Sequence, residues 1–393
     1  MTWRVVVADR VAESGLKLLA ATSDIEVLAM AGKPKEDLDR ALAGAHALIV
    51  RSETRVTADV LARAPLLRVV ARAGTGVDTI DVPAATRRGI AVMNAPGANT
   101  VSAGEHALGL LLALVRRIPE AAAAMRGGGW DRKKFEGTEL RGKTMGVVGL
   151  GRIGAHVAQL ARAFGMSVVA HDPYLLPERA AEMGVPLLSL EDLLRTADVV
   201  TLHVALTDQT HHLINAERLR LMKNGAILLN FARDGIVDED AVVEALAAKR
   251  IRYYVCDFPT KKLQGHPHVI ALPHLGASTG EAEDNSAVMV VDEVRDYLEH
   301  GNLQNAVNFP DAQMPREAPY RLAISNANVP DMLGRISHTL GKRKINIHNM
   351  LNKSKGEMAY TLVDTDTAVR SEVIDELCKT AGVLAVRYLP VDG

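Results

Sequence analysis

Short apolar runs alternate along this chain with longer segments whose apolar residues recur about once per helical turn. The runs include Val5–Ala8, Ala47–Val50, Leu67–Val70, Ile90–Met93, Met145–Leu150 and Ser167–His171. Val199–Leu202, Ala226–Leu229, Tyr253–Cys256 and Val269–Leu272 continue the series. Nearly continuous apolar runs, spaced by helical patterns, predict strands of a parallel α/β sheet. A glycine-rich turn near residue 150 marks the first strand of a nucleotide-type unit, so the chain before it must form another α/β unit. The expected architecture is two Rossmann-like, doubly wound parallel-sheet domains, one from 1–98 with 288–311 and one from 99–287. The alanine- and leucine-rich segment Val101–Met125 reads as one helix. Three prolines between Asn308 and Pro319 predict a linker. Beyond it, Tyr320–Val391 reads strand, helix, strand, strand, helix, strand, which predicts a third, βαββαβ (ferredoxin-like) domain over 319–393.

The turn itself is Gly149-Leu150-Gly151-Arg152-Ile153-Gly154. In a strand–turn–helix unit with this spacing, Gly149 permits the tight turn and Gly151 lets a pyrophosphate approach the backbone. Gly154 lets the helix close on the strand, and the helix N-terminus offers amide donors and a favourable dipole. The next run ends in Asp172, near the ~20-residue offset of a ribose-binding carboxylate. A carboxylate there accepts hydrogen bonds from both ribose hydroxyls and repels a 2′-phosphate, so NAD is favoured over NADP. The competing reading is a solvated aspartate opening the turn Asp172-Pro173.

Two further strand ends carry candidate chemistry, because ligands in open α/β sheets bind at the carboxyl ends of strands. Arg233 follows Ala226–Leu229, and its planar guanidinium suits a bidentate grip on a carboxylate. The competing reading is a helix-entry arginine paired with Asp234 or Asp238. His274 follows Val269–Leu272, where an imidazole exchanges protons near neutral pH, although a structural role fits its position too.

Bulk properties narrow the classes. The chain has 393 residues, 24% charged, with a formal net charge of −1, so it offers neither a basic nucleic-acid surface nor an electrostatic membrane anchor. Cys256 and Cys378 stand alone and suggest neither a disulfide framework nor a cysteine metal site. The N-terminus runs directly into a strand without a signal-peptide layout, and the longest apolar stretch, Leu108–Val115, is far short of a membrane span. A reducing cytoplasm is the expected setting.

Taken in order, the glycine turn, then Asn230-Phe231-Ala232-Arg233-Asp234-Gly235-Ile236-Val237-Asp238-Glu239, then Pro273-His274-Leu275-Gly276-Ala277-Ser278-Thr279 resemble the D-isomer-specific 2-hydroxyacid dehydrogenases over residues 1 to about 310. Val50-Arg51-Ser52, Val69–Asp78, Gly89–Asn94, Gly129–Phe135 and Gly137–Leu140 narrow the resemblance to the branch acting on D-3-phosphoglycerate. The resemblance implies a soluble NAD-dependent enzyme in which Arg233 holds the substrate and His274 takes the hydroxyl proton. It implies cofactor contacts at Thr75, Gly149, Gly151, Arg152, Ile153, Gly154, Asp172, Val204, Ala232, Asp257, His274, Gly276 and Ala277. Substrate contacts are implied at Arg51, Arg72, Gly74, Gly76, Val77, Asn99, Arg132, Arg233 and His274, the arginines serving the phosphate. A homodimer or homotetramer is implied, with no metal. Other 2-hydroxyacid substrates such as glyoxylate or hydroxypyruvate, and an NAD-sensing regulator on the same fold, remain the alternatives.

The C-terminal part resembles an ACT regulatory domain through Asn328-Val329-Pro330, Ile345-Asn346-Ile347 and Ala359–Asp364. That implies an L-serine effector at Asn326, Asn328 and Asn346, although Asp331 replaces the usual glycine. A second departure concerns His274. The family places a glutamate beside this histidine, five residues after the aspartate that aligns with Asp257, and a lysine of the pair Lys261-Lys262 stands there. Asp257, Glu281 and Glu283 are the candidate substitutes. Without such a carboxylate, the pH profile is expected to move downward.

Overall fold

The computed structural model describes residues 2–390, which divide into two compact units. One comprises the chain up to Ala98 and the chain from Glu283 onward, and the other is Asn99–Ala282. The second crossing thus falls at 282–283 rather than at 287–288. Helix Gly280–His300 runs through it, and Ala287 packs so closely on helix Glu13–Ala20 that a Cβ on Gly15 would lie 2.9 Å from its own Cβ.

In the first unit, strands β1 (Trp3–Val7), β2 (Ile25–Ala29), β3 (Ala47–Val50), β4 (Val69–Arg72) and β5 (Ala91–Asn94) form a parallel sheet ordered β2-β1-β3-β4-β5. Every residue of β3 is buried, which is why its sequence shows no polar alternation. The edge strand β2 has no counterpart among the expected strands. Its apolar run is interrupted by Glu26, which pairs with Arg4 at 2.9 Å.

The second unit contains β6 (Thr144–Val148), β7 (Ser167–His171), β8 (Val199–Leu202), β9 (Ala226–Asn230), β10 (Ile251–Cys256) and β11 (Val269–Ala271), all parallel and ordered β7-β6-β8-β9-β10-β11. A single parallel bridge between Ala170 and Leu187 adds an extended segment outside β7. Ala170 donates to the Pro186 carbonyl at 2.9 Å, and Leu188 donates back to Ala170 at 2.8 Å. With that segment counted, the sheet follows the 3-2-1-4-5-6 order of dinucleotide-binding sheets with β11 added beside β10 as a seventh member, and the order reverses between β6 and β8.

The segment expected as one helix is two, Thr100–Val115 and Ile118–Arg126, separated by Arg117 at φ 54°. Pro119 has no N–H to give to the Val115 carbonyl four residues back, and that carbonyl instead accepts from Thr138 at 2.8 Å.

Strands β12 (Tyr320–Ala327), β13 (Ile347–Lys355), β14 (Met358–Thr365) and β15 (Val383–Pro390) form an antiparallel sheet ordered β13-β14-β12-β15. Leu322, Ile324 and Val363 on one face pack under helices Met332–Lys342 and Ser371–Cys378. Ala323, Tyr360 and Leu362 on the other face join the core of the first unit, so the small sheet is part of it. The last three residues of the expected domain, 391–393, lie outside the described residues. The proline-rich linker is instead a packed strap. Phe309, Ala312 and Met314 are buried, and the wholly buried Arg321 donates to the Met314 and Pro315 carbonyls and pairs with Asp364.

Candidate active site

At the carboxyl end of β6, the backbone turns at Gly149, which has φ 89°. A Cβ there would lie 2.7 Å from the His203 carbonyl and 2.8 Å from Val204 Cγ1, both just past the end of β8. A Cβ on Gly154 would lie 2.0 Å from the Gly149 carbonyl, so this glycine sets how closely helix Arg152–Ala163 meets the turn. Gly151 differs from both. It is the N-cap of that helix, no side chain caps the helix there, and a Cβ on it would meet nothing within 4 Å. Open space in front of uncapped helix amides suits a pyrophosphate. Asp172, just past β7, opens the turn at Pro173 and also reaches the glycine turn. One oxygen accepts from Leu150 N at 2.9 Å within the glycine turn, and the other accepts from Tyr174 N at 3.0 Å in the turn that follows. The residues present fit a dinucleotide.

Past β9, Asn230 fixes the turn that carries Arg233. Its amide donates to the Arg233 carbonyl at 3.0 Å, and its side-chain oxygen accepts from Ala232 N at 3.2 Å. Arg233 Nη1 donates to the Ala232 carbonyl at 2.7 Å. Asp238, a rival partner in the sequence, caps helix Glu239–Ala247 by accepting from Ala241 N.

Asp257, just past β10, is 2% exposed. One carboxylate oxygen accepts from Gly276 N at 3.0 Å, and the other lies 3.4 Å from His106 Nε2. Its backbone carbonyl accepts from His274 N at 3.1 Å. Asp257 therefore anchors the His274–Gly276 loop through both backbone and side chain. His274 is exposed, has φ 55°, and tilts against Phe258 with ring centroids 4.5 Å apart. A left-handed backbone is costly for a residue with a Cβ, so the surrounding loop must over-determine it.

The loop carrying the lysine pair is tied to helix Glu239–Ala247. Glu239 accepts from Thr260 N at 3.2 Å, and Lys262 Nζ lies 2.5 Å from Asp240. Of the carboxylates considered for His274, Asp257 is engaged by Gly276 and His106, and Glu283 pairs with Arg51 at 3.0 Å in the first unit. Glu281 is exposed on helix Gly280–His300. His106 was not found from sequence. A lone histidine inside an apolar helix was its only signal.

The remaining expected residues fall into three groups. In the first unit, Arg51 follows β3 and Arg72 ends the neighbouring β4, and Arg72 donates to the Arg51 carbonyl at 3.1 Å and to the Gly76 carbonyl at 2.5 Å. Arg72 thereby shapes the Gly74–Val77 turn, in which Thr75 Oγ1 donates to the Ala95 carbonyl. Asn99 and Arg132 belong to the second unit. Asn99 begins helix Thr100–Val115, and Arg132 is exposed over the Trp130 ring at 5.6 Å. The effector candidates are not gathered within this chain. Asn326 is buried at one end of the small sheet and accepts from Thr361, and Asn328 donates to the Gly356 carbonyl nearby. Asn346 precedes β13 at the opposite end and donates to Asp366 at 2.5 Å. Among the described residues, no group of three His, Cys, Asp or Glu side chains is arranged to hold a metal, and no helix is long and apolar enough to cross a membrane.

Comparison with known proteins bears on this geometry. Residues 108–276 match the NAD-binding domain of the D-isomer specific 2-hydroxyacid dehydrogenases. The TT0316 protein of Thermus thermophilus has a similar fold with a TM-score of 0.68 and 40% identity, covering 77% of this chain and 99% of that one. The chain belongs to the D-isomer-specific 2-hydroxyacid dehydrogenase family. Within it, the chain is 43% identical to the D-3-phosphoglycerate dehydrogenase of Methanocaldococcus jannaschii, covering 85% of this chain and 64% of that one. It is 47% identical to the D-3-phosphoglycerate dehydrogenase of Mycobacterium tuberculosis, covering 77% and 58% respectively. The chain spans about three fifths of the length of these curated relatives.

Proposed function

We propose that the chain oxidises D-3-phosphoglycerate to 3-phosphohydroxypyruvate with NAD, opening phosphorylated L-serine synthesis in the cytoplasm. The observation that carries this is one unit presenting an uncapped glycine turn, Arg233 and the Asp257-anchored His274 at strand ends of one sheet. The 43–47% identity to D-3-phosphoglycerate dehydrogenases directs the choice of substrate. The bound dinucleotide supplies the hydride acceptor. Gly149, Gly151, Arg152, Ile153 and Gly154 hold its pyrophosphate side, Asp172 the ribose, and Thr75, Val204, Ala232, Asp257, Gly276 and Ala277 its remaining contacts. Arg233 grips the substrate carboxylate and carbonyl oxygen, and His274 accepts the hydroxyl proton as the C2 hydride departs. Arg51, Arg72 and Arg132 take the phosphate, and Gly74, Gly76, Val77 and Asn99 the carboxylate side.

Several finer features belong to the same reading. Helix Ile118–Arg126 buries none of its residues, and Ile118, Met125 and Trp130 are 53%, 52% and 72% exposed, a surface that a second copy of the chain would cover. The small sheet is read as an ACT domain that contributes to a homodimer or homotetramer and binds L-serine through Asn326, Asn328 and Asn346. Two cysteines without a disulfide suit a reducing cytoplasm.

The test is NADH formation from D-3-phosphoglycerate, D-glycerate and D-2-hydroxyglutarate across pH. We expect a strong preference for the phosphorylated substrate, abolished in Arg233→Ala and His274→Ala. Lys262→Glu should raise the histidine limb of the kcat/KM profile by placing a carboxylate in the loop that follows Asp257. NAD binding without turnover of any of the three would instead support an NAD-sensing protein on the same fold and would implicate the lysine-bearing loop in the loss of catalysis.

A further inference from the structure

Glu293 lies on helix Gly280–His300 of the first unit, 6% exposed and outside all the chemistry described so far. Oε1 accepts from Asn305 Nδ2 at 2.6 Å, whereas Oε2 is buried without a partner. Asn305 begins a short segment that extends the open edge of β5. Ala306 bridges Met93 in antiparallel fashion, Val307 N donates to the Val92 carbonyl at 2.8 Å, and Asn94 N donates to the Asn305 carbonyl at 3.4 Å. Asn94 in turn donates its side-chain amide to the Thr75 carbonyl, and Ala95 N donates to the Gly74 carbonyl at 3.0 Å. A continuous series of hydrogen bonds therefore runs from the Glu293 carboxyl through Asn305 and Asn94 to the Gly74–Val77 turn.

We propose that Glu293 is a positioning residue for the Gly74–Val77 turn, holding it through Asn305 and Asn94 while uncharged and releasing it on ionisation. The proposal rests on the reading of that turn as part of the substrate site. A neutral carboxyl is tolerated in the buried position with a single hydrogen bond, but a carboxylate is not, because one oxygen would stay desolvated and unpaired. The charged neighbours add to this. Asp292 on the same helix and Asp311 from the strap both oppose ionisation, and Asp292 is itself paired with Arg295 at 3.3 Å. Burial is the larger cause, and together with these carboxylates it pushes the Glu293 carboxyl up to about 7, with Asn305 pulling the other way. Glu293 also lines a cavity of about 770 Å³ bordered by Gly97, Asp284, Asp296 and Gln304. An ionised side chain that turned into it would find the water it needs and would leave Asn305.

The experiment uses the full chain, as wild type, Glu293→Gln and Glu293→Leu. Glutamine keeps the acceptor for Asn305 and removes the titration, and leucine removes both. Substrate KM should rise about tenfold between pH 6 and 8.5 in the wild type, the equivalent of one buried hydrogen bond, relative to a Glu293→Gln profile that lacks this limb. Glu293→Leu should show the raised KM at every pH, with kcat and the Kd for NAD within about twofold of wild type. Hydrogen exchange of peptides spanning 72–96, without substrate, reads the turn directly and should be faster in Glu293→Leu than in Glu293→Gln. Superposable KM profiles for wild type and Glu293→Gln, with equal exchange in all three proteins, would overturn the proposal. Faster exchange in a protein that turns over no phosphoglycerate would uphold the positioning role and sink the substrate reading instead.

Discussion

The two parallel sheets reverse strand order at comparable places, between β1 and β3 in the first unit and between β6 and β8 in the second, and they treat the crevice there in opposite ways. In the first, Asp9 just beyond β1 is 3% exposed and spans the gap. Its Oδ2 accepts from Arg51 N at 2.6 Å and Thr54 N at 3.2 Å, and its Oδ1 accepts from the Thr54 hydroxyl. In the second, the matching turn is glycine, the helix behind it has no side-chain cap, and a Cβ on Gly151 would meet nothing within 4 Å. The fold creates a crevice in both sheets, and the residues of the first loop decide whether the protein closes it with its own carboxylate or leaves it for an anionic ligand.

Substitutions at the open crevice should have the largest effects. In Gly154→Ala the new Cβ meets the Gly149 carbonyl at 2.0 Å and must push the helix from the turn, so we expect NAD binding to be lost and the melting temperature of the second unit to fall. Gly151→Ala is the sharper test, because its Cβ meets nothing in the protein. Stability should hold, while the Kd for NADH, measured by its dihydronicotinamide fluorescence, rises at least about tenfold, roughly one good charge-assisted hydrogen bond. An unchanged Kd would mean that this space is not where the pyrophosphate lies. Closing the comparison from the other side, Asp9→Ala strips three hydrogen bonds from a buried crevice. It should destabilise the first unit by about 3 kcal/mol in denaturant titrations and leave NAD affinity unaltered.

The open crevice was legible in the sequence because its chemistry depends on residue types at fixed spacing. Three glycines, and an aspartate ending the next strand, announce themselves without tertiary information. The closed one was not, since nothing in Asp9 and Thr54 reveals that a loop 45 residues later folds back onto a carboxylate. The same divide runs through the fold. Strands buried on both faces were visible as apolar runs, whereas the edge strand β2 and the one-bridge segment at Leu187 were too short or too polar to show. Proline content identified the 308–319 segment as irregular but not as packed, because the burial of Phe309 and Met314 comes from partners distant in the chain. Likewise, the engagement of Asp257 by His106 depends on a helix that begins over 150 residues earlier.

The smallest expected effect separates the two units by pH. His203, immediately past β8 at the open crevice, bonds through Nε2 to the Thr201 hydroxyl at 2.9 Å, and burial lowers it to about 4. Between that value and its ordinary 6.5 the unfolded chain takes up a proton that the folded one refuses, so stability is lost as pH falls through this window. Glu293 in the first unit has the opposite sign. Raised from 4.5 to about 7, it is protonated in the folded chain where the unfolded chain has already ionised, so its contribution is full below 4.5 and is lost as pH rises through 7. Each group should be worth about 2 kcal/mol across its window, somewhat less than the full shift because both sites relax. Denaturant unfolding followed by hydrogen exchange in peptides of each unit would read them separately. Acidification from pH 6.5 to 5 should weaken the second unit more than the first, and His203→Gln should remove most of that difference. Alkalinisation from pH 6 to 8 should weaken the first unit, and Glu293→Gln should flatten its slope. Parallel pH responses in the two units, unchanged by either substitution, would show that neither burial is maintained against its titration.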